Sequence, residues 1–193
     1  IKTVKEDNSR TSKICFSTYA SILESEGQIQ KAIGIMNEVV DNENNDQDTP
    51  ITSRAASISK QASLYMKAGD LVQAEKEIRS SIKLLDPIKQ DVKSQYVNDL
   101  TILAEILTKT NRVGEGIKEL ENIEYLVIES KDDNIIASYY DMLTSLYGDI
   151  GNYDKLLEYS LLNRDIKLRN IGENSYPYAV SLINLSEAYA VSQ

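Results

Sequence analysis

The sequence predicts an all-α protein built from stacked helical hairpins, and three observations indicate this class. Only 3 prolines and 8 glycines occur in 193 residues, which disfavours a turn-rich sheet protein. A short polar turn recurs at Gly27, Gly69, Asn111 and Gly151, at intervals of 42, 42 and 40 residues. A large, a small and a large side chain precede each turn at fixed distances, so the repeat extends into the helices.

The residues before each turn share one face of a helix. A large residue stands eleven positions before each turn, at Phe16, Ile58, Leu100 and Tyr140. A small residue stands seven positions before it, at Ala20, Ala62, Ala104 and Thr144. A second large residue stands four positions before it, at Leu23, Tyr65, Leu107 and Tyr147. Spacings of four and three place each triplet on one helix face. A small residue between two large ones allows a second helix to approach closely. Leu182, Ser186 and Tyr189 repeat the pattern a fifth time.

The second helix of the fourth hairpin departs from the others. Five positions after the turn stand Ala32, Ala74 and Gly116 in the first three hairpins, whereas the fourth has Leu156. Ser160 and Asn163 follow at positions where apolar residues are expected. We therefore predict that this helix packs differently from its counterparts.

The register gives approximate boundaries for each element. Four hairpins are predicted over 13–44, 53–86, 93–130 and 134–171, followed by an unpaired helix over 177–193. All 3 prolines fall between these hairpins, as expected where a helix cannot continue. We expect residues 1–193 to form a single domain of about four and a half repeats. Because the last helix lacks its second helix, we also expect the chain to be part of a longer protein.

The repeat resembles a known family. Ala62, Tyr65, Gly69 and Ala74 follow the spacing of the tetratricopeptide repeat (TPR) signature. The segment from Gly151 to Tyr189, which includes Pro177, is similar to the 42-residue repeat of kinesin light chains. The resemblance implies α-hairpins stacked in a right-handed superhelix, whose concave face binds segments of other proteins or peptides.

The resemblance also implies which residues line that groove. Carried over by register, the candidate partner-binding residues are Ser59, Ser63, Met66, Lys67, Glu105, Lys109, Asp141, Ser145 and Asp149. Counted over all five first helices, five acids face two lysines; the acids are Glu24, Glu105, Asp141, Asp149 and Glu187. A neutral or basic protein or peptide is therefore the expected partner. A missing part of the same protein, as an intramolecular partner domain, is an alternative occupant.

Composition excludes several classes of function. The formal net charge is −9, with no cluster of Lys and Arg, so nucleic acid is not an expected partner. The sequence contains no histidine and one cysteine, Cys15, which leaves neither a Ser-His-Asp triad nor a structural zinc site. The acidic run 41–46 lacks the central glycine of a calcium loop, and no terminal glutamate follows at the required spacing. We predict no catalytic activity, no cofactor and no metal.

The hydropathy of the sequence indicates where the protein is located relative to the membrane. No stretch approaches the 18 apolar residues of a membrane span, and no signal-peptide pattern occurs near Ile1. We therefore expect no membrane-spanning segment and a cytoplasmic protein.

The predicted fourth hairpin contains one pair of adjacent tyrosines. Tyr139 and Tyr140 adjoin, so we expect only one to face inward and regard the other as a candidate contact residue.

The predicted repeat fold is compatible with two functional hypotheses. The chain is either a free-standing protein-binding adaptor, or a sensory or regulatory array that controls an effector outside this sequence, such as a protease, kinase, cyclase or DNA-binding domain.

Overall fold

The structure, a computed structural model, describes residues 15–191. Every regular element within that range is a helix, which confirms the predicted fold class. The helices are α1 (15–25), α2 (Ile29–Asn45), α3 (Ile51–Lys67), α4 (Leu71–Leu85), α5 (Lys93–Lys109), α6 (Val113–Glu121), α7 (Glu124–Ser130), α8 (Asp133–Asp149), α9 (Tyr153–Ile171) and α10 (Tyr176–Val191), with a short 3-10 helix at Asp86–Ile88. Residues 13–14 and 192–193 of the predicted elements lie outside the described range.

The chain divides into two compact units, Ile1–Lys89 and Gln90–Gln193. In the first unit, α2 packs on α3 and α3 packs on α4. In the second, α5 packs on α6, α8 packs on α9, and α9 packs on α10. Helix α8 also contacts α5 and α6, which joins the two hairpins of the second unit.

The four hairpin turns have the same backbone structure. Gly27, Gly69, Asn111 and Gly151 all have positive φ angles, of 75°, 83°, 61° and 69°. At each turn, the amide of the following residue donates to a carbonyl five residues earlier, as from Asp70 to Tyr65 at 2.9 Å and from Arg112 to Leu107 at 2.7 Å. These bonds form a Schellman motif, which ends a helix at a left-handed residue. The turn predicted at Asn111 is therefore equivalent to the three glycine turns.

Replacing Gly69 by alanine is expected to lower the free energy of unfolding by about 1–2 kcal/mol, since a left-handed backbone is unfavourable for L-residues. A Cβ atom at Gly69 would meet nothing within 4 Å, so the effect is conformational rather than steric. Gly69→Asn should lose less, because asparagine tolerates this conformation. Urea denaturation of the three proteins tests the order; equal midpoints for all three would contradict it.

The second helix of the third hairpin is interrupted between α6 and α7. Its apolar residues Ile117, Leu120, Ile123 and Leu126 are spaced by three and are all buried. In an uninterrupted α-helix this spacing rotates the apolar stripe by about 60° at each step, because three residues fall short of the 3.6-residue turn. The break at 122–123 allows these residues to stay on the packed side.

The first helices of the second, third and fourth hairpins, α3, α5 and α8, each bury residues on two adjacent faces. On one face of α8 the Tyr139 hydroxyl donates to the Leu120 carbonyl of α6 at 3.2 Å. On the next face the Tyr140 ring packs against Tyr159 of α9, with centroids 5.7 Å apart. Both tyrosines are buried, so the prediction that only one faces inward is wrong. Neighbouring residues lie about 100° apart, and here a different helix covers each of them.

The small positions predicted at helix crossings are buried. Ala20, Ala62 and Ala104 are all 0% exposed. Around Ala104 the approach is tight, since a Cβ atom added to Gly116 of α6 would lie 3.3 Å from the Ala104 Cα. The glycine in α6 therefore permits close contact between α5 and α6.

Polar residues line the seam between α8 and α9. Ser160 and Asn163 of α9 are each 2% exposed, and Asn163 donates to the Asp141 carboxylate of α8 at 2.5 Å. Thr144 stands where the other three hairpins place alanine. Its hydroxyl and that of Ser160 are buried and have no hydrogen-bond partner among residues 15–191. Position 160 is buried like its equivalents Met36, Ile78 and Leu120, so the seam differs in its polar side chains, and the different packing of this helix stays a prediction.

Candidate partner-binding surface

Most of the predicted groove residues lie on a third side of the first helices, beside the two packed faces, whereas Ser59 and Asp141 lie at the seams with the second helices. They differ in exposure. The exposed ones are Lys67, Lys109, Ser145 and Asp149, and the half-buried ones are Ser63, Met66, Glu105 and Asp141. Ser59 is buried. Because two compact units share these residues, each unit offers its own part of the predicted lining.

Ser59 belongs to the seam between α3 and α4. Its hydroxyl donates to the Ala55 carbonyl at 2.8 Å and lies 2.9 Å from the Ser81 hydroxyl of α4. Ser81 is itself 0% exposed and bonds to the Ala55 carbonyl at 3.0 Å. The Ser59 hydroxyl is thus engaged within the first unit, and its role in binding a partner stays a prediction.

In the first unit, one carboxylate joins α1 to α3. Glu24 of α1 accepts hydrogen bonds from Lys60 and Lys67 of α3. The Glu24 side chain is only 15% exposed. The hydrogen bond from Lys60, followed by that from Lys67, lowers the pKa of the Glu24 carboxyl below its usual value near 4.5. Sequence reasoning placed Glu24 and Lys67 on the groove but missed Lys60.

This cluster predicts a pH dependence of stability. A carboxyl whose folded pKa is depressed contributes stability above its unfolded pKa, and the contribution disappears as pH falls through the folded value. Glu24→Gln should therefore lower the urea midpoint at neutral pH and approach the wild-type midpoint well below pH 4.5. The matched control is Glu38→Gln, since Glu38 is exposed on α2 of the same unit. A deficit of Glu24→Gln that persists unchanged at low pH would contradict the assignment.

In the second unit, Asp141 is held from α9. Its carboxylate accepts from Lys167 at 2.8 Å as well as from Asn163. Lys167 is 8% exposed, so its charge depends on this carboxylate for compensation. Sequence reasoning missed Lys167. The departures at Ser160 and Asn163 were the available signal, because they marked the side of α9 that packs on α8.

The remaining predicted acids differ in their pairing. Glu105 of α5 forms an ion pair with Lys109 one turn later, at 3.5 Å. Asp149, at the end of α8, has no hydrogen bond or ion pair to any side chain within residues 15–191. Three of the five acids counted on the groove are therefore compensated by lysines, and the excess of negative charge is smaller than the sequence predicted.

The described part of the chain contains neither a candidate metal site nor a candidate membrane span. Among residues 15–191, no group of three or more His, Cys, Asp or Glu side chains is arranged to hold a metal ion. None of the helices described is both long enough and apolar enough to cross a membrane.

No protein-family model and no curated protein sequence matches the chain. Solved structures do match. BtubC (BKLC) from P. vanneervenii superposes with a TM-score of 0.78 at 18% identity, over 92% of this chain and 71% of that one. A Podosopora anserina protein of nearly identical kinesin light chain TPR-like repeats gives a TM-score of 0.79 at 18% identity, over 92% and 85%. The predicted TPR-like hairpin fold, similar to that of kinesin light chain repeats, is therefore confirmed.

A larger protein contains a similar array. The STAND protein from Pyrococcus horikoshii, a signal transduction ATPase with a tetratricopeptide repeat sensor, matches with a TM-score of 0.75 at 16% identity. The match covers 94% of this chain and 27% of that one. At such identities the likeness shows the fold alone.

Proposed function

We propose that this chain binds a protein or peptide partner through the third side of its first helices. The observation that carries the proposal is a repeated exposed position. Lys67, Lys109 and Asp149 stand at intervals of 42 and 40 residues and are all exposed, although residues on the two neighbouring faces of the same helices are buried. Repeat scaffolds use such positions for binding, because packing between hairpins leaves them free to vary.

The second unit offers the more defined part of this surface. Helices α5 and α8 pack against each other, so we infer that their uncovered residues form one continuous surface. It consists of Glu105 and Lys109 from α5, and of Ser145 and Asp149 from α8. In the first unit, Ser63 and Lys67 of α3 are the equivalent residues, and Met66 lies next to Lys67 on the same helix. The thioether of Met66 suits contact with apolar groups of varied shape.

We infer that a neutral or weakly basic segment fits this surface best. The pair of Glu105 with Lys109 and that of Asp141 with Lys167 present little net charge to a partner. A strongly charged ligand would have to break these pairs or leave them uncompensated, which opposes binding. Asp149 of this surface has no compensating side chain among residues 15–191, so it favours a basic group at the end of α8.

The experiment is a peptide-library selection against the 193-residue chain, followed by affinity measurements on the selected peptides. The test variant is Ser145→Arg with Asp149→Arg, which alters the proposed surface by bulk and by charge. The matched control is Asn174→Arg with Glu129→Arg, because both residues are exposed outside the first helices of the same unit. Both pairs add the same charge and two large side chains.

We expect the test variant to weaken binding at least tenfold and the control to leave it within about twofold, since only the first places bulk on the surface. A selected peptide that loses affinity for the control and keeps it for the test variant would overturn the proposal. Circular dichroism confirms that both variants keep the helical fold.

The second candidate function is a sensory or regulatory array within a larger protein. The TPR sensor of the P. horikoshii ATPase supports it, because a similar array forms about a quarter of that chain. On this hypothesis an intramolecular domain occupies the surface until a signal displaces it. Determining the full reading frame that encodes residues 1–193 distinguishes the array from a free-standing adaptor. The predicted cytoplasmic location stays a prediction in either case.

A further inference from the structure

The seam between α8 and α9 contains three buried polar atoms that no side chain or backbone group of residues 15–191 bonds. They are the hydroxyls of Thr144 and Ser160 and the amide oxygen of Asn163. All three side chains are more than nine-tenths buried. The amide nitrogen of Asn163 does have a partner, since it donates to Asp141. Buried polar atoms nearly always have a hydrogen-bond partner, which is either a protein group or a bound water molecule.

The register of the two helices brings these atoms together. Three neighbouring pairs share one antiparallel register, in which the α9 residue falls by seven as the α8 residue rises by seven; they are Asn134 with Asn170, Asp141 with Asn163, and Gly148 with Leu156. Thr144 stands three residues after Asp141, and Ser160 stands three residues before Asn163. The same register therefore places Thr144 opposite Ser160, with Asn163 one turn away on the same face of α9.

The two hydroxyls do not bond in the way that is usual within a helix. Thr101 and Thr108 of α5 donate to the carbonyls four residues earlier, at 3.0 Å and 2.9 Å. Serine and threonine side chains in helices commonly satisfy themselves by this local bond. Because Thr144 and Ser160 do not make it, their hydrogen bonds have to come from the seam itself.

The pair of Thr144 and Ser160 is also small for its place in the repeat. At the equivalent positions the other hairpins set an alanine against a long apolar residue; the pairs are Ala20 with Met36, Ala62 with Ile78, and Ala104 with Leu120. Threonine is only slightly larger than alanine, whereas serine is much smaller than methionine, isoleucine or leucine. The side chains of the fourth hairpin therefore fill less of the seam, and the difference suits a water molecule, whose volume is about 30 Å³.

We propose that the α8–α9 seam binds a buried water molecule between Thr144, Ser160 and Asn163. The water accepts hydrogen bonds from the two hydroxyls and donates one to the Asn163 amide oxygen. Three hydrogen bonds to polar groups that otherwise lack a partner are typical of a buried water. The network continues from Asn163 to Asp141, which also accepts from Lys167. The water thus belongs to the network that holds Asp141, one of the predicted groove residues.

A crystal structure of the 193-residue chain, at a resolution that shows ordered water, tests the site directly. We expect density for one water molecule within hydrogen-bond distance of Thr144 Oγ1, Ser160 Oγ and Asn163 Oδ1. Hydroxyls that instead donate to the carbonyls of Tyr140 and Leu156, with no density between them, would overturn the proposal.

A double-mutant cycle tests the same site in solution by urea denaturation. Thr144→Val and Ser160→Ala each remove one hydroxyl that the water bonds, so each should lower the urea midpoint. The double variant should lower it by less than the sum of the two shifts, because the same water is lost only once. Removing a hydroxyl that bonds nothing would leave the midpoint unchanged or raise it. That result for the single variants, or additive shifts in the double variant, would overturn the proposal.

The matched control cycle is Thr108→Val with Ser130→Ala, in the same unit. These hydroxyls donate to the carbonyls of Ala104 and Val127, and the two residues stand near opposite ends of the third hairpin. Their shifts should therefore add, and circular dichroism checks that every variant keeps the helical fold. Coupling in the control as large as that between Thr144 and Ser160 would overturn the assignment of that coupling to a shared water.

Discussion

Tyr139→Ala is expected to lower the free energy of unfolding by about 3–5 kcal/mol, the effect of removing a fully buried aromatic ring. The Tyr139 side chain is 0% exposed. Its ring lies 5.6 Å from that of Tyr140, and its hydroxyl donates to the Leu120 carbonyl at 3.2 Å. The side chain therefore joins α8 to α6, and its loss should weaken the contact between the third and fourth hairpins.

Urea denaturation followed by circular dichroism measures this effect. Tyr139→Phe serves as the intermediate variant, since it keeps the ring but removes the donor to Leu120; we expect a loss of about 1 kcal/mol. The control is Tyr125→Ala on α7, where the side chain is 48% exposed, and a change within about 0.5 kcal/mol is expected. Equal destabilisation at Tyr139 and Tyr125 would show that the inward placement of Tyr139 is wrong.

Burial also affects the acidity of this tyrosine cluster. It raises the pKa of the Tyr139 and Tyr147 hydroxyls well above the ordinary value near 10, and the hydrogen bond of Tyr147 to Glu121 adds to the effect at that residue. These hydroxyls therefore stay protonated across the physiological range, which suits donors to a carbonyl and to a carboxylate.

The features that the sequence predicted well depend on local chemistry. The hairpin turns require a left-handed residue, and glycine or asparagine at a fixed interval marks it. Asn111 replaces the glycine of the other three turns, yet its φ angle of 61° matches theirs. Small residues at helix crossings were predictable for a similar reason, because Ala62 and Ala104 must admit a neighbouring helix wherever the repeat stacks.

The features that it missed depend on which helices meet. The pairing of Lys167 with Asp141 joins residues 26 positions apart, and no local pattern fixes their rotamers. Both Tyr139 and Tyr140 are buried because α8 has a neighbour on each of two faces, whereas a helix read alone suggests one buried face. The pairing of Glu24 with two lysines likewise required the position of α3 beside α1.

These pairings change the expected chemistry of the surface. An acidic lining would favour a basic partner through long-range attraction, with strong dependence on salt. A lining of internal ion pairs instead favours contacts of shape and hydrogen bonding, whose strength changes less with ionic strength. Raising the salt concentration should therefore weaken the selected peptides only slightly, apart from those that place a basic group near Asp149.

Ala104→Phe is expected to lower the free energy of unfolding by about 1–3 kcal/mol or more, because a well-packed crossing has no room for an added ring. Ala104 is 0% exposed, and its Cα would lie only 3.3 Å from a Cβ atom at Gly116. The backbones of α5 and α6 are thus already close, and a phenyl group must either separate them or adopt a strained rotamer. Ala62→Phe should behave similarly at the crossing of α3.

Ala56→Phe is the matched control for both substitutions. Ala56 lies on the exposed side of α3, so the same change of side chain there adds no overlap and should shift stability by less than about 0.5 kcal/mol. Thermal or urea unfolding of the three variants gives the comparison. Equal unfolding midpoints for Ala104→Phe, Ala62→Phe and Ala56→Phe would mean that the small residues do not stand at the crossings. The 42-residue register that places the first helices would then be wrong.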